Sequence, residues 1–315
     1  MPIHPRLPGR PVLVSAHRCG AGDDRSLENT RPALEAALAS GVDFVEVDVR
    51  RCADGTLVCF HDERVTLQGR RVRLESLDYA AFAAAAPQHL LFEDVLRLLA
   101  GRARAHVDLK LTSPTSSYAD PASTHEVAVT RLALEHLRPA DVIVTTLVDK
   151  SVRAVRDWAD AHGHDILVGL SLGRPVTELP WWRQVAARLS EIRPARRIRA
   201  SRANLVVAQY TVARLGAASF ARRHGIPLLV WTVDSERGLR RWLRPGRAWL
   251  VTSNHPDRAL AVRDAHRGGR YGIGARWLHP EERVALRPHR VRRRRRTVTA
   301  RGARARGLRA GRIDP

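Results

Sequence analysis

Residues 44–49 read FVEVDV, an apolar strand-like run that two acids interrupt. Alternate side chains of an extended strand point to opposite faces, so Glu46 and Asp48 share one face while the three valines share the other. Two carboxylates held together away from water repel each other and lose their hydration, which destabilises the fold. A bound cation would offset that cost, and the run therefore indicates a metal site on an otherwise apolar strand.

Apolar runs of strand length recur along the chain, and helix-like segments separate most of them. The runs lie at 11–18, 44–49, 104–111, 141–147, 166–172, 204–209, 227–233 and 249–254. Strands that alternate with helices predict a parallel sheet, and eight such units predict an α/β fold, the (β/α)₈ TIM barrel. Two of the helices are predicted at 31–41 and 151–163, the second ending on a C-cap glycine.

A ninth apolar run, TLVCFHD at 56–62, follows the second strand too closely for a parallel crossover. The pair Asp54-Gly55, just before it, is a hairpin turn signal. We therefore predict a short β-hairpin insertion after strand two, in which the returning chain carries His61 over the mouth of the barrel.

The formal net charge of +22 is concentrated towards the C-terminal end. Residues 265–315 hold 16 Arg and three acids, and glycines recur where this segment begins. Its composition predicts a flexible, disordered, basic low-complexity tail behind a barrel domain at 10–264. The arginines favour non-specific contact with polyanions, including an anionic membrane, whereas no motif for specific nucleic-acid recognition accompanies them.

The chain contains no apolar run of the length, about 18 residues, that a transmembrane helix needs. The N-terminus has no apolar signal-peptide core, so a cytoplasmic location is expected. The three cysteines, an odd number in a chain of 315 residues, argue against a disulfide framework. Cys52 and Cys59 could approach each other across the hairpin, but two small buried thiols are the favoured interpretation.

Two further segments admit more than one interpretation. Trp181 and Trp182 begin a stretch that could insert into a membrane surface, and we interpret it as an amphipathic barrel helix. Glu28, Asn29 and Thr30 precede a predicted helix, and we interpret them as its N-cap and not as ligands, with Asn29 available to support a ligand.

The residues that could carry chemistry cluster where the predicted strands end. They are His17 and Arg18 after strand one, Glu46 and Asp48 on strand two, Asp108 and Lys110 on strand three, Trp231 and Thr232 on strand seven, and Ser253 and Asn254 on strand eight. In (β/α)₈ enzymes the active site lies at the C-terminal ends of the strands. Convergence from separate strands therefore predicts one site at that end of the barrel.

Three carboxylates, Glu46, Asp48 and Asp108, predict an all-oxygen site for one hard cation, Mg²⁺ or Ca²⁺. No cluster of histidines and cysteines has the spacing of a zinc site. Arg18 and Lys110 add positive charge beside the cation, which suits a phosphate group. Imidazole titrates near neutral pH, so two histidines could supply the acid and the base of a displacement at phosphorus.

The same residues carry a family resemblance that extends over residues 12–262. The order AHR, ENT, VEVDV, DG, HD, DLK, WTV, T and P resembles the glycerophosphodiester phosphodiesterase family, whose members are metal-dependent (β/α)₈ barrels. The roles that the resemblance implies are catalysis for His17 and His61, phosphate binding for Arg18, and metal binding for Glu46 and Asp48.

Several residues depart from the family pattern. Cys19 stands where most members have glycine after His-Arg, and Leu27 replaces the proline before Glu-Asn-Thr. Asp108 falls where most members have the glutamate of an E-x-K strand, although related phospholipase-type barrels use aspartate there. Ser253 and Asn254 replace the usual acidic residue near the end of the last strand. None of these changes removes a group that the mechanism needs.

The sequence thus predicts a metal-dependent phosphodiesterase that cleaves glycerophosphodiesters into glycerol 3-phosphate and an alcohol. One histidine would deprotonate the nucleophile, either water or the 2-hydroxyl of the substrate, and the other would protonate the leaving alcohol. Lys110 would contact the phosphate, and Trp231 is either a substrate contact or part of the core. Two alternatives stay open: lysophospholipase D or sphingomyelinase D-like activity on lipids, and a catalytically inactive barrel that binds polyanions.

Overall fold

The computed structural model describes residues 10–173 and 180–268. Its strands are β1 Leu13–Ala16, β2 Phe44–Arg51, β3 Leu57–Cys59, β4 Arg64–Leu67, β5 Arg70–Arg73, β6 Leu90–Leu91, β7 Arg104–Leu109, β8 Val142–Thr146, β9 Leu167–Leu172, β10 Leu205–Gln209, β11 Leu228–Trp231 and β12 Leu250–Ser253. Its helices are α1 Arg31–Ser40, α2 Tyr79–Ala85, α3 Phe92–Leu99, α4 His125–His136, α5 Asp149–Ala161, α6 Trp181–Ile192, α7 Ala195–Ser201, α8 Tyr210–Val212, α9 Ala218–Arg223, α10 Glu236–Trp242 and α11 Pro256–Gly268. A π-helical turn, Ala213–Ala217, joins α8 to α9.

Eight parallel strands close into a barrel. Their order around the ring is β1, β2, β7, β8, β9, β10, β11 and β12, and β12 pairs with β1 to complete it. Each of the eight apolar runs contributes one strand, because its outward-facing residues bury their surface against the surrounding helices. The predicted (β/α)₈ fold is confirmed.

The two faces of the barrel strands differ in character. Outward-facing residues such as Val45, Val47 and Val49 are fully buried beneath the helices. Inward-facing apolar residues form what we call the apolar floor of the barrel, namely Phe44, Ile143, Leu205, Val207, Leu229 and Leu250. Polar side chains nearer the C-terminal ends of the strands lie above this floor. The most buried of them, Glu46 and Asp48, lie where electrostatic interactions are stronger than in water.

The hairpin after β2 is confirmed, and the insertion is larger than predicted. β3 pairs antiparallel with β2, aligning Leu57 with Arg51, and β6 pairs antiparallel with β3. Between β3 and β6 lie a second hairpin, formed by β4 and β5, and helix α2. The sequence predicts Glu46 and Asp48 near the end of this strand. Because β2 continues beyond them to pair with β3, both lie within the strand.

Other local predictions are also confirmed within the described ranges. Gly41 follows α1 at φ 75°, and Gly163 follows the end of α5 at φ 69°. Glycine adopts this left-handed conformation without the steric cost that a Cβ brings, and it therefore ends both helices. Cys52 and Cys59 are buried free thiols.

The last described helix, α11, runs to Gly268 and so crosses the domain boundary predicted at 264. The remainder of the predicted basic tail, 269–315, lies outside the described residues, as do 1–9 and 174–179. No helix in the described part of the chain is long and apolar enough to cross a bilayer.

Candidate active site

In the turn after β1, a backbone N–H donates a hydrogen bond to a carboxylate of the neighbouring strand. Arg18 and Cys19 both adopt the left-handed conformation, with φ of 48° and 67°, which costs about 1–3 kcal/mol for a residue with a side chain. In this conformation the Arg18 N–H donates to Glu46 Oε2 at 2.6 Å. The strained turn thus places His17 and Arg18 against β2.

Three carboxylates meet on two adjacent strands inside the barrel. The register pairs Asp48 of β2 with Asp108 of β7, and Glu46 lies on the same face of β2. One oxygen of each residue lies within 4.8 Å of the others. Glu46 and Asp48 are only 2% and 1% exposed. Strand register therefore brings together three acids that are far apart in sequence.

Two cationic side chains contact this cluster. The Lys110 ammonium lies 2.6 Å from Asp108 Oδ2 and 3.2 Å from Asp48 Oδ1. Arg18 Nε lies 3.4 Å from Asp48 Oδ2, and Arg18 Nη1 donates to Glu28 Oε2 at 2.7 Å. The three carboxylates outnumber these two cations, so the cluster can accept further positive charge.

Burial and charge act differently on the individual groups. Burial, followed by the charges of Asp48 and Asp108, raises the pKa of Glu46 well above its ordinary value. Burial also opposes ionisation of Asp48, but nearby positive charge, that of Lys110 foremost, holds the pKa of Asp48 below its ordinary value. Burial likewise opposes the charge of Lys110, and Asp108 and Asp48 outweigh it, so that the pKa of Lys110 is raised. A bound cation would favour the ionised form of Glu46.

The donor set fits a divalent cation that prefers oxygen ligands, such as Mg²⁺ or Ca²⁺. Asn29, with φ of 56°, orients one of the carboxylates. Its Nδ2 donates to Asp48 Oδ2 at 3.0 Å, and its Oδ1 accepts from the Asp48 N–H at 3.2 Å. The predicted N-cap before α1 is confirmed at Thr30 alone. Asn29 takes the supporting role that the sequence left open to it, and Glu28 contacts Arg18 and does not cap the helix.

His17 is held by a chain of hydrogen bonds from the last strand. Asn254 Nδ2 donates to Asp234 Oδ2 at 2.8 Å, and His17 Nδ1 donates to Asn254 Oδ1 at 2.7 Å. An ionised carboxylate only accepts, so Asp234 orients the amide, and the amide oxygen in turn requires the hydrogen on Nδ1. Burial, and then the charge of Arg18, lowers the pKa of His17. Its Nε2 is left to accept a proton and lies 3.9 Å from Glu46 Oε2.

Substitution of Asn254 by alanine removes the acceptor that fixes the His17 ring. We expect kcat on a phosphodiester to fall about ten- to hundredfold with little change in KM, the usual effect of losing a positioning partner. Steady-state kinetics measure this, with thermal denaturation to check the fold. In the control, Ser253→Ala removes a hydroxyl that donates to Asp234 at 3.0 Å and leaves the His17 bond intact. Equal losses in both variants would contradict the positioning role.

His61 lies at the open side of the site, directly after the returning strand of the hairpin. Arg50 donates to the His61 carbonyl oxygen from Nε at 3.0 Å and from Nη2 at 2.7 Å, and to the Lys110 carbonyl from Nη1 at 3.1 Å. His61 Nδ1 donates to Asp62 Oδ1 at 2.8 Å, and the side chain is 31% exposed. Arg50 thus ties the hairpin to the residue after β7 and fixes the backbone of His61 beside the site.

A second buried histidine supports the cluster from inside the barrel. Thr145 Oγ1 donates to Asp108 Oδ1 at 2.6 Å, so it accepts from His106 Nε2, 3.1 Å away. His106 Nδ1 then accepts from Ser15 Oγ at 3.2 Å. Burial lowers the pKa of His106 to about 4, which agrees with a neutral ring. His106 therefore orients Asp108 through Thr145.

Trp231 packs against the apolar floor of the barrel and is partly buried. Its indole N–H is shielded from water and has no hydrogen-bond partner among the described residues. An unsatisfied buried donor costs about 1–3 kcal/mol. Trp231 is therefore part of the interior packing, and only the exposed part of its ring is open to a ligand.

Arg50, Thr145 and Asp234 belong to the site, and sequence reasoning did not single them out. Every second residue of β2 points into the barrel, and the next such residue after Glu46 and Asp48 is Arg50. The same alternation along β8 places Thr145 on the inward face. Asp234 lies in the loop after β11 and carries no such signal.

Comparison with curated proteins gives short matches. A stretch of 76 residues is 37% identical to Lysophospholipase D GDPD3 from Mus musculus, covering 24% of this chain and 22% of that protein. A stretch of 59 residues is 51% identical to Probable glycerophosphodiester phosphodiesterase 1 from Mycobacterium tuberculosis, covering 19% of this chain and 20% of that protein. The chain thus matches about a fifth of the length of each of these relatives.

A solved structure matches over more of the chain. A glycerophosphodiester phosphodiesterase from Parabacteroides distasonis has a TM-score of 0.62 at 16% identity, covering 81% of this chain and 98% of that one. At this identity the likeness establishes the shared fold. The model of the Glycerophosphoryl diester phosphodiesterase family matches residues 17–258, a range that includes both histidines and all three carboxylates of the site. The protein therefore belongs to the glycerophosphoryl diester phosphodiesterase family.

Proposed function

We propose that the protein is a divalent-cation-dependent phosphodiesterase that hydrolyses glycerophosphodiesters to glycerol 3-phosphate and an alcohol. The observation that carries this proposal is the cluster of three carboxylates within 4.8 Å of one another, with His17, Arg18 and Lys110 around it. These carboxylates would hold one Mg²⁺ or Ca²⁺ ion. When bound, the cation would neutralise charge on the phosphate diester and polarise its phosphorus–oxygen bonds.

The protein groups around the cluster have separate tasks. Arg18 and Lys110 are already positioned by carboxylate partners, so they would bind phosphate oxygens with little reorganisation. His17 would accept the proton of the nucleophile, water or the substrate 2-hydroxyl, through Nε2, the nitrogen that the Asn254 bond leaves available. As the new phosphorus–oxygen bond forms and the old one breaks, His61 at the open side would protonate the leaving alcohol.

The glycerol part of the substrate would lie near Trp231, above the apolar floor. The buried indole N–H of Trp231 lacks a hydrogen-bond partner in the described part of the chain. Because that N–H is shielded, the exposed part of the indole ring, and not the N–H, would contact the carbon atoms of the glycerol. Trp231 is therefore proposed as a substrate contact.

The test is release of glycerol 3-phosphate from a panel of glycerophosphodiesters, assayed with Mg²⁺, with Ca²⁺ and with EDTA. We expect turnover that EDTA abolishes and that an excess of the divalent cation restores. Unchanged turnover by protein proven free of metal would contradict cation dependence. No turnover of any diester by folded, metal-loaded protein would contradict the substrate class.

Lysophospholipase D activity is a second candidate, because part of the chain resembles a relative of that name. The reaction would break the bond between phosphate and alcohol head group in a diester that still carries one acyl chain. The same groups would act, so the two candidates differ in the substrate that the mouth of the site admits. The ratio of kcat/KM for a lysophospholipid and for its deacylated counterpart separates them. An inactive polyanion-binding barrel would show neither activity.

A further inference from the structure

Helix α6 presents large apolar side chains to solvent. Trp181 and Trp182 are 76% and 53% exposed, and Val185 and Leu189 are 50% and 53% exposed. Leu215, in the π-helical turn that packs beside α6, is 62% exposed. We call these five residues the tryptophan face. The predicted amphipathic barrel helix is confirmed. Its apolar stripe, however, faces solvent, whereas the apolar stripe of a surface helix usually faces the core.

The orientation of α6 follows from its packing. Successive residues are rotated by about 100° in an α-helix, so the four α6 members of the tryptophan face occupy one side. The opposite side carries Ala187 and Glu191, which are the buried residues of the helix. At its C-terminal end the carbonyl of Ile192 approaches Gly216 so closely that an added Cβ would collide with it. This packing fixes the helix with its apolar stripe outward.

The surface around the tryptophan face is strongly basic. Residues 180–223 contain ten Arg and a single acid, Glu191. Glu191 is buried and lies 2.9 Å from Arg188. Arg183, within α6, and Arg214, next to Leu215, are exposed. Elsewhere in the segment, Arg197 and Arg202 pair with acids of α5, so only part of its positive charge borders the patch. An apolar patch bordered by exposed arginines complements a surface that is anionic outside and apolar beneath.

We propose that the tryptophan face docks on the surface of an anionic phospholipid bilayer. Indole rings favour the boundary between head groups and acyl chains, and aliphatic side chains gain free energy when they are buried there. The bordering arginines gain from the negative potential of anionic head groups. Nucleic acid would satisfy the arginines and leave the aliphatic side chains without a partner, so the composition of the patch favours lipid.

The location of the patch gives docking a consequence for the barrel. α6 is the helix that follows β9, and its first turn, with both tryptophans, lies towards the C-terminal end of that strand. The candidate active site opens at the same end of the barrel. Docking through the tryptophan face would therefore hold the mouth of the site close to the lipid surface. The inference itself does not depend on the proposed catalysis.

A second copy of this chain is a weaker partner for the same surface. A two-fold interface places the same patch of both protomers together, so arginine-rich surfaces would meet and repel. A lipid surface satisfies both the apolar and the cationic residues.

The experiment is sedimentation of the full chain with vesicles of phosphatidylcholine alone or mixed with phosphatidylglycerol. We expect binding to the mixed vesicles that weakens about tenfold or more in the double variant Trp181→Ser, Trp182→Ser, with loss of the blue shift in tryptophan fluorescence. Arg214→Glu should also weaken binding. The matched control is Arg102→Glu, an exposed arginine before β7 at the other end of the barrel, and it should bind as the unmodified protein does.

Each contrary result has a definite meaning. Equal vesicle binding by the unmodified protein and the double tryptophan variant would overturn the proposal. Equal loss of binding in Arg214→Glu and Arg102→Glu would also overturn the proposal, because it would show that binding depends on the overall charge of the protein and not on this face. A dimer in the absence of lipid that the tryptophan substitutions dissociate would assign the face to a second copy. Turnover of a soluble glycerophosphodiester should be the same in the double variant, and its absence from the unmodified protein would contradict only the proposed function.

Discussion

Replacement of His17 by alanine is expected to lower kcat about 10²–10⁴-fold, the usual contribution of a positioned acid or base. The ring presents Nε2 to the carboxylate cluster, and its Nδ1 hydrogen is committed to Asn254. Alanine removes the proton acceptor and leaves the three carboxylates in place, so the affinity for Mg²⁺ or Ca²⁺ should stay unchanged. Steady-state kinetics at saturating cation and titration calorimetry measure the two quantities.

The matched control for this prediction is His162→Ala. His162 is exposed after the end of α5 and donates to the Trp158 carbonyl at 2.8 Å, so its loss should leave kcat unchanged. Thermal denaturation of both variants checks the fold. A loss of less than about tenfold in folded His17→Ala would contradict the assignment of His17 as a base.

His61→Ala distinguishes the two histidine roles. It should lose activity to a similar extent on an alkyl diester, because an alkoxide needs a proton to leave. On a p-nitrophenyl diester, whose leaving group needs no proton, the loss in His61→Ala should shrink while the loss in His17→Ala persists. The reverse pattern would exchange the roles of the two residues.

Asp48→Asn is expected to weaken binding of the divalent cation about a hundredfold or more. We expect kcat/KM to fall about 10³-fold, because the substitution removes several kcal/mol of charge stabilisation. Asn keeps the shape of the side chain but removes its charge, and its NH2 group replaces one of two oxygens that face donors. Asp48 is in contact with Lys110, Arg18 and Asn29, and no other acid of the cluster touches all three. Calorimetric titration with Mg²⁺ and with Ca²⁺, alongside kinetics, tests the prediction.

In the metal-free protein Asp48→Asn and Glu46→Gln should change stability in opposite directions. The pKa of Asp48 is lower in the folded than in the unfolded protein. Its charge therefore stabilises the fold at any pH above the unfolded-state pKa, and this contribution is lost as the pH falls through the folded-state pKa. Asp48→Asn removes the contribution at neutral pH. The pKa of Glu46 is raised, so the fold loses stability as the pH rises through the folded value, and Glu46→Gln removes that loss. Thermal denaturation in EDTA over a pH series measures both. Equal destabilisation by the two substitutions would contradict the electrostatic account.

The strands and the residues that they turn inward could be predicted from local patterns. The alternation in FVEVDV places its acids and its valines on opposite faces whatever the rest of the chain does. The same alternation relates Asp108 of β7 to Lys110, the residue directly after that strand. The antiparallel return of β3 follows from a connection too short for a crossover. These patterns identified the three carboxylates before any contact between them was known.

The groups that orient the site could not be predicted in this way. His17 and Asn254 are 237 residues apart, and they meet because β12 pairs with β1 when the barrel closes. Asp234 follows a different strand and reaches His17 only through Asn254. Each of these contacts depends on a neighbour relation between strands that no local pattern contains.

For helix α6, too, one property could be predicted from the sequence and another could not. Helical periodicity identified an amphipathic segment at Trp181, and it could not tell which side would pack on the barrel. The close approach of Ile192 to Gly216 turns the apolar side outward. The sequence by itself determined which elements form and which side chains share a face, because both depend on backbone geometry over a few residues. The tertiary structure decided strand register, the hydrogen bonds that hold the catalytic groups and the exposed side of α6, because these depend on ring closure and on packing between distant residues.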